Sequence, residues 1–318
     1  MVDDVVAKII DGEHYAADLR DQLAVEIAEL ARQGIRPGLA TVMAGEGYAA
    51  RAYERRLRGL AGKLGCHYVC EALPENVTEA DALAAVGKLD ADPRVSGVLV
   101  LRPLPRQVSE VALYRLLDPV KDIEAVHPVN AGLLTLDRPR YIPSTPASAF
   151  HMLDRYLRES GRDPQEVYAR SNMVLVGRSN NVGKPAVILG LNRNATVLSC
   201  DVHSFKAGLL YSHTAQADIL IIAAGMPGLV TGEHVKPGVI AIDVGINPVE
   251  EPRTGKVRLV GDLDFATVAA KAEAISPVPG GVGPITDVWL LRNTVAAARA
   301  AAGLPGTEPE QRPHRLAG

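Results

Sequence analysis

Short aliphatic runs and longer amphipathic stretches alternate along this chain, and few folds accommodate that rhythm. Gly38-Leu-Ala-Thr-Val-Met43, His67–Ala72 and Val95–Leu101 are short and mostly apolar, as strands buried on both faces are. Tyr15–Gln33, Ala49–Leu64 and Glu79–Asp90 carry Leu, Val, Ile and Ala at helical spacing. Gly65 is a natural helix stop, and Arg102-Pro-Leu-Pro105 ends the third strand because proline cannot continue a ladder. Strands covered on both faces belong to parallel sheets flanked by helices, so the fold class is α/β. The rhythm resumes after a helix near Pro146–Glu159, with strands at Asn172–Val176, Ala195–Cys200, Asp218–Ala223 and Val239–Val244. Val268–Glu273 reads as helical and Thr286–Ala302 as an Ala-rich closing helix.

At about 150 residues per domain, 318 residues suggest two domains. Their expected limits are 1–148, closed by the helix at 286–302, and 149–285, a dinucleotide-type βαβ array. Residues 303–318 hold Pro, Gly and charges without periodicity and read as a disordered tail. A net charge of −3 lacks the basic excess of a nucleic-acid binder. The acidic start Met-Val-Asp-Asp is unlike a signal peptide, and runs such as Ile219–Met226 fall far short of the ~20 residues that span a bilayer. No membrane partner is therefore expected. Cys66, Cys70 and Cys200 cannot all pair, and Cys66 and Cys70 lack a second ligand pair for zinc, so the expectation is a reducing cytoplasm and no metal.

Chemistry enters at Gly177-Arg-Ser-Asn-Asn-Val-Gly-Lys-Pro185, a glycine turn between a buried strand and a helix. Such a turn lets backbone amides approach a phosphate, and the helix N-terminus favours the anion. Alone it equally describes an ordinary tight connection. Its context adds an acid, Asp201, ending the next strand 24 residues after Gly177, where a carboxylate holds ribose hydroxyls.

Further segments follow in order: Tyr53 on the second helix, Gly97-Val-Leu-Val-Leu-Arg-Pro-Leu-Pro105, Lys121-Asp-Ile-Glu-Ala-Val-His-Pro-Val-Asn130 and Ile142-Pro-Ser-Thr-Pro146. After the glycine turn come Lys236-Pro-Gly-Val-Ile-Ala-Ile-Asp-Val-Gly-Ile-Asn247 and Pro277-Val-Pro-Gly-Gly-Val-Gly-Pro284. Over about residues 5–300 this series resembles the methylenetetrahydrofolate dehydrogenase/cyclohydrolase family, the bacterial FolD type. The resemblance implies a folate-binding domain and a Rossmann NAD(P) domain flanking a cleft, and a homodimer. It places Tyr53, Leu101, Pro103, Glu124, the Pro279-Gly280-Gly281 turn and Asp287 at the substrate. For the cofactor it points to Thr145, Gly177, Arg178, Ser179, Val182 and Gly183, and to Asp201, Ala224, Gly225, Gly245, Ile246 and Thr286.

Departures from the family pattern are informative. The family has Tyr-Val-x-x-Lys on the second helix, with the lysine central to cyclohydrolysis; here the run is Tyr53-Glu-Arg-Arg-Leu57. The partner glutamine of Leu-Val-Gln-Leu-Pro is Leu101, and the second acid of Lys-Asp-Val-Asp-Gly is Glu124. Hydride transfer mainly needs donor and acceptor held in contact, whereas hydrolysis needs a titratable group, which leucine is not. Arg55, Arg56, Arg58 and Arg102 stay protonated and make poor bases. With Arg51, the three on the second helix form a basic face, which is solvated or steers a polyglutamate tail. The expectation is a 5,10-methylenetetrahydrofolate dehydrogenase with weak or absent cyclohydrolase activity. The alternatives are a dehydrogenase acting on another folate- or pterin-like substrate and a non-catalytic folate- or partner-binding paralogue. Arg178 matches the family position that meets the NADP 2′-phosphate, while Asp201 leans to NAD, which is slightly favoured. Asp287 replaces a small or apolar residue and either meets substrate or pairs with an arginine.

Overall fold

The computed structural model describes residues 7–45, 47–251 and 255–305. They form two compact units. One comprises Asp18–Ser144 and the described residues from Asp287 onward; the other comprises the described residues up to Ala17 together with Thr145–Thr286.

In chain order the first half carries β1 (Lys8–Ile9), α1 (Gly12–Arg32), β2 (Gly38–Ala44), α2 (Tyr48–Lys63), β3 (His67–Leu73), α3 (Glu79–Ala91) and β4 (Gly97–Val100). Then come α4 (Glu110–Leu116), α5 (Pro128–Thr135), α6 (Ser144–Glu159) and α7 (Pro164–Ala169). The next stretch holds β5 (Asn172–Val176), α8 (Gly183–Asn192), β6 (Thr196–Cys200), α9 (Val202–Lys206), α10 (Leu210–Thr214) and β7 (Ile219–Ile222). Last are β8 (Ile240–Asp243), β9 (Asn247–Glu250), β10 (Val257–Val260), α11 (Phe265–Ala269), β11 (Ala274–Ile275) and α12 (Val282–Ala301).

The unit of Asp18–Ser144 has a three-stranded parallel sheet in the order β3-β2-β4. Ala40, Val42, Val98 and Val100 turn to one face, where they pack with Val86 and Leu89 of α3, Leu113 of α4 and Leu117 just after it. Strand periodicity sends Thr41, Leu99 and Leu101 to the opposite face. There Thr41 Oγ1 meets Tyr68 Oη at 2.8 Å, and Tyr68 reaches the Glu54 carbonyl of α2. Leu57 of α2 is fully buried, a gain of about 1.5–3 kcal/mol before ordering entropy is set against it.

The other unit is built on a six-stranded parallel sheet in the order β1-β11-β8-β7-β5-β6. Chain order reverses at β5, with β6 on one side and β7 on the other. Such a reversal opens a crevice outside the carboxyl ends of the two diverging strands, here just past Val176 and Ile222. A separate antiparallel hairpin joins β9 and β10.

Several boundaries differ from the sequence reading. Helix α1 starts at Gly12 rather than Tyr15 because the Asp11 carboxylate accepts the Glu13 and His14 amides at 2.9 and 3.1 Å. The helix expected at Val268–Glu273 is α11, set earlier by Asp264 as its N-cap, and Ala274–Ile275 is a strand. The closing helix starts at Val282, not Thr286, since Pro284 sits in its first turn, where no intrahelical N–H is needed. Residues up to Ala17 leave the expected 1–148 unit because β1 pairs with β11. The expected tail at 303–318 lies, from residue 306 on, outside the described residues.

Candidate functional site

The crevice of the six-stranded unit gathers most of the residues expected at a cofactor. Gly177 ends β5 at φ 112, and a Cβ there would lie 2.2 Å from the Ala223 carbonyl oxygen. A Cβ on Gly183 would sit 2.0 Å from the Gly177 oxygen. Only glycines let these segments meet, which leaves backbone at the crevice floor. Ser179 Oγ closes the turn by accepting the Val182 and Gly183 amides at 3.2 and 3.3 Å. At the end of β6, Asp201 Oδ1 accepts the His203 and Ser204 amides while Oδ2 pairs with Arg178 at 3.1 Å. Those amides and Arg178 hold the Asp201 carboxyl below its ordinary range. Arg178 also donates to the Ser199 hydroxyl and carbonyl at 3.0 and 2.5 Å.

Two acids that the sequence reading gave no role stand beneath the neighbouring loops. Asp262 is fully buried and accepts the Ala224, Gly225 and Met226 amides at 2.6, 3.0 and 2.8 Å, plus Asn247 Nδ2 at 2.8 Å. Asp243 accepts the Gly245, Asp262 and Leu263 amides at 2.9, 3.0 and 2.8 Å. Burial pushes the Asp243 carboxyl up to about 7 despite those donors, with the Asp262 charge adding to the rise. The expected cofactor residues Ala224, Gly225 and Gly245 are thus held from below; Ile246 is exposed. Thr286 bonds back to the Val282 carbonyl within α12, and Thr145 lies half-buried in the first turn of α6. The Val278–Pro279–Gly280 turn, Gly280 at φ 97, leads directly into α12.

In the unit that holds Asp18–Ser144, the expected substrate residues Tyr53, Asp287 and Glu124 fall in two polar groups. Asp287 pairs with Arg56, Nε to Oδ2 at 2.5 Å and Nη2 to Oδ1 at 3.1 Å. The Arg56 guanidinium lies 5.0 Å from the Tyr53 ring centroid. Of the two roles open to Asp287, its partner is therefore an arginine. Burial, with the Asp287 and Glu124 carboxylates adding, pushes the Tyr53 phenol up. Glu124 is held at both oxygens: Arg102 Nη1 donates to one at 3.1 Å and the Tyr114 hydroxyl donates to the other. Burial pushes the Glu124 carboxyl up, and Arg102 pulls it back. Arg102 is itself held by Glu110 at 2.6 Å, and Pro103 beside it is exposed. Lys121 donates to the Asp90 and Asp92 carbonyls. Leu57 is 0% and Leu101 4% exposed.

The comparisons with known proteins match both units. Residues 10–124 match the tetrahydrofolate dehydrogenase/cyclohydrolase catalytic domain and residues 143–302 its NAD(P)-binding domain. The chain is 65% identical over 297 residues to bifunctional protein FolD 3 of Rubrobacter xylanophilus, covering 93% of each. It is 43% identical over 294 residues to bifunctional protein FolD 2 of Geobacter metallireducens, covering 92% of this chain and 98% of that one. Among solved structures, the FolD of Trypanosoma brucei complexed with NADP cofactor and inhibitor superimposes with a TM-score of 0.85 at 34% identity, over 93% of this chain and 98% of the other. With both domain matches and close relatives over nearly its whole length, this chain belongs to the tetrahydrofolate dehydrogenase/cyclohydrolase family.

Proposed function

We propose that the protein is an NAD(P)-dependent 5,10-methylenetetrahydrofolate dehydrogenase whose cyclohydrolase activity is weak or absent. Bound NAD(P)+ would supply the acceptor for a hydride from the methylene carbon. The product cation is stabilised by its own two nitrogens, so the chain's task is orientation and exclusion of water. Tyr53, fixed by Arg56 and Asp287, offers a ring face to the folate. Glu124, aligned by Arg102 and Tyr114, accepts the pterin's N–H groups. The glycine-walled crevice past β5 and β7 suits a dinucleotide backbone.

The observation that carries the reading is Leu57. It is wholly buried where the family pattern has a lysine, and Leu101, nearly as buried, replaces the glutamine. No proton can be moved at either position. The relatives' names contain the word bifunctional, which supports the opposite reading, and one assay separates the two. With methylenetetrahydrofolate and NAD(P)+, reduced cofactor should form while methenyl absorbance persists. Enzymatic loss of that absorbance well above the spontaneous rate refutes the reading.

NAD is favoured over NADP because Arg178 is already committed to Asp201 and Ser199 and would have to leave both for a 2′-phosphate. A kcat/KM ratio of about 10 or more in favour of NADP overturns this preference. On the family resemblance we also read the protein as a homodimer, which light scattering tests, and from its three cysteines, which cannot all pair, as cytoplasmic.

A further inference from the structure

We propose that Asp262 is a positioning residue for the nicotinamide half of the dinucleotide, turning the Ala224–Met226 segment so that it presents acceptors rather than donors. The inference rests on the reading of Ala224 and Gly225 as cofactor-contacting residues.

Three consecutive amides, those of Ala224, Gly225 and Met226, point at the one buried carboxylate. A trans peptide directs its carbonyl opposite to its N–H, so the Ala223, Ala224 and Gly225 carbonyls face away from Asp262. The Ala223 oxygen lies against Gly177 across the strand reversal. Among the described residues, no protein donor meets the Ala224 or Gly225 carbonyl. Gly225 takes φ 65 to complete the turn.

Room for the carboxylate is built in. A Cβ on Gly245 would fall 2.2 Å from Asp262 Cγ, and one on Gly261 would fall 2.0 Å from Asp243 Oδ2. Asp243 in turn accepts the Asp262 amide, and Asn247 holds the Asp262 side chain. The two acids therefore set the loops after β7, β8 and β10 as one assembly.

The consequence is a division of labour at the two edges of the crevice. The segment past β7 has its amides consumed and a carboxylate behind it, so it repels phosphate. It suits a carboxamide N–H donor and the positive charge of an oxidised nicotinamide. Phosphate recognition is left to the Gly177–Gly183 turn.

The test compares the whole dinucleotide with a fragment lacking nicotinamide. Binding of NAD+ or NADP+ and of ADP-ribose or its 2′-phosphate is measured calorimetrically on the full-length protein and on Asp262→Asn. Asp262→Asn should weaken the dinucleotide about 10-fold or more while the fragment changes less than about 2-fold. Equal weakening of both, or of neither, overturns the proposal. Should Asp262→Asn fail to fold, Asn247→Ala removes one donor to the same carboxylate. It should shift the dinucleotide-to-fragment ratio in the same direction, by about 3-fold; an unchanged ratio overturns the proposal. Wild-type protein binding neither dinucleotide sinks both this proposal and the cofactor reading, whereas wild-type binding with an unchanged ratio in the variants sinks this one alone.

Discussion

If the leucines at 57 and 101 are what withholds hydrolysis, Leu57→Lys combined with Leu101→Gln should return it, and the structure sets the expected cost. Leu57 is 0% exposed, so Leu57→Lys alone forfeits about 1.5–3 kcal/mol of apolar burial. It also leaves an ammonium without a built partner, and an uncompensated buried charge costs about 3–5 kcal/mol unless the lysine sheds its proton. Together these make a single-variant loss of about 4.5–8 kcal/mol, a large share of an ordinary domain's stability, and lower Tm by roughly 10–30 °C. Adding Leu101→Gln supplies an amide oxygen from the end of β4, on the sheet face turned away from Val98 and Val100. One charge-assisted hydrogen bond there should recover about 1.5–3 kcal/mol. The assay follows methenyltetrahydrofolate absorbance at neutral pH, corrected for spontaneous hydrolysis, beside dehydrogenase turnover on the same preparation. A positioned acid–base group contributes about 100-fold or more, so the double variant should hydrolyse measurably while wild type does not. A folded double variant with intact dehydrogenation and only spontaneous hydrolysis would show that the missing pair is not the cause. A Leu57→Lys protein as stable as wild type would refute the burial argument itself.

Asp287→Ala should free Arg56 from its bidentate partner and loosen Tyr53, raising KM for the folate several-fold with KM for the nucleotide unchanged. Because Arg56 is 58% exposed, the stability loss should stay near or below about 1 kcal/mol by thermal melt. Gly177→Ala sets a methyl group against the Ala223 carbonyl at a φ that alanine rarely adopts; it should lose dinucleotide binding and about 2 kcal/mol or more of stability. Burial pushes the Asp243 carboxyl from its ordinary 3.8 up to about 7 in the folded state. Between those values the folded state keeps a proton that the unfolded chain has released, so stability should fall as pH rises through this window and level off above it. Melting temperatures from pH 4.5 to 8 should show that slope for wild type and a flatter one for Asp243→Asn.

The parallel strands were readable because they are continuous aliphatic runs: Asn172–Val176 is observed at the expected limits and β2 within a residue. Short elements were not. The β9–β10 hairpin hides behind Pro248, Glu250 and Arg258, and two-residue β1 has no pattern of its own without β11. Helix α11 begins earlier than the apolar spacing of Val268–Glu273 suggests because Asp264 caps it. The glycine turn and Asp201 were visible as a local motif. Asp243 lies inside the Lys236–Asn247 segment but is apolar-flanked there, and Asp262 lies in none of the segments that carry the resemblance. Their partners, spread over residues 224–263, meet only through the fold. A Gly-Asp pair after a short apolar run, Gly261-Asp262, was the available signal. Tyr114 gave none, since a tyrosine on an amphipathic helix is usually core.

Pairing of β1 with β11 also has a consequence in time. Lys8 lies opposite Ala274, so β1, once it leaves a ribosome, finds its neighbour about 270 residues later. At about 5–20 residues per second that is a wait of roughly 15–50 s. Through that interval the unit between β5 and β8 can assemble its central strands but not its outer border. The nascent chain therefore carries an open parallel edge on β8 until β11 arrives, and β11 leaves its own edge open unless β1 has stayed unpaired long enough to close it.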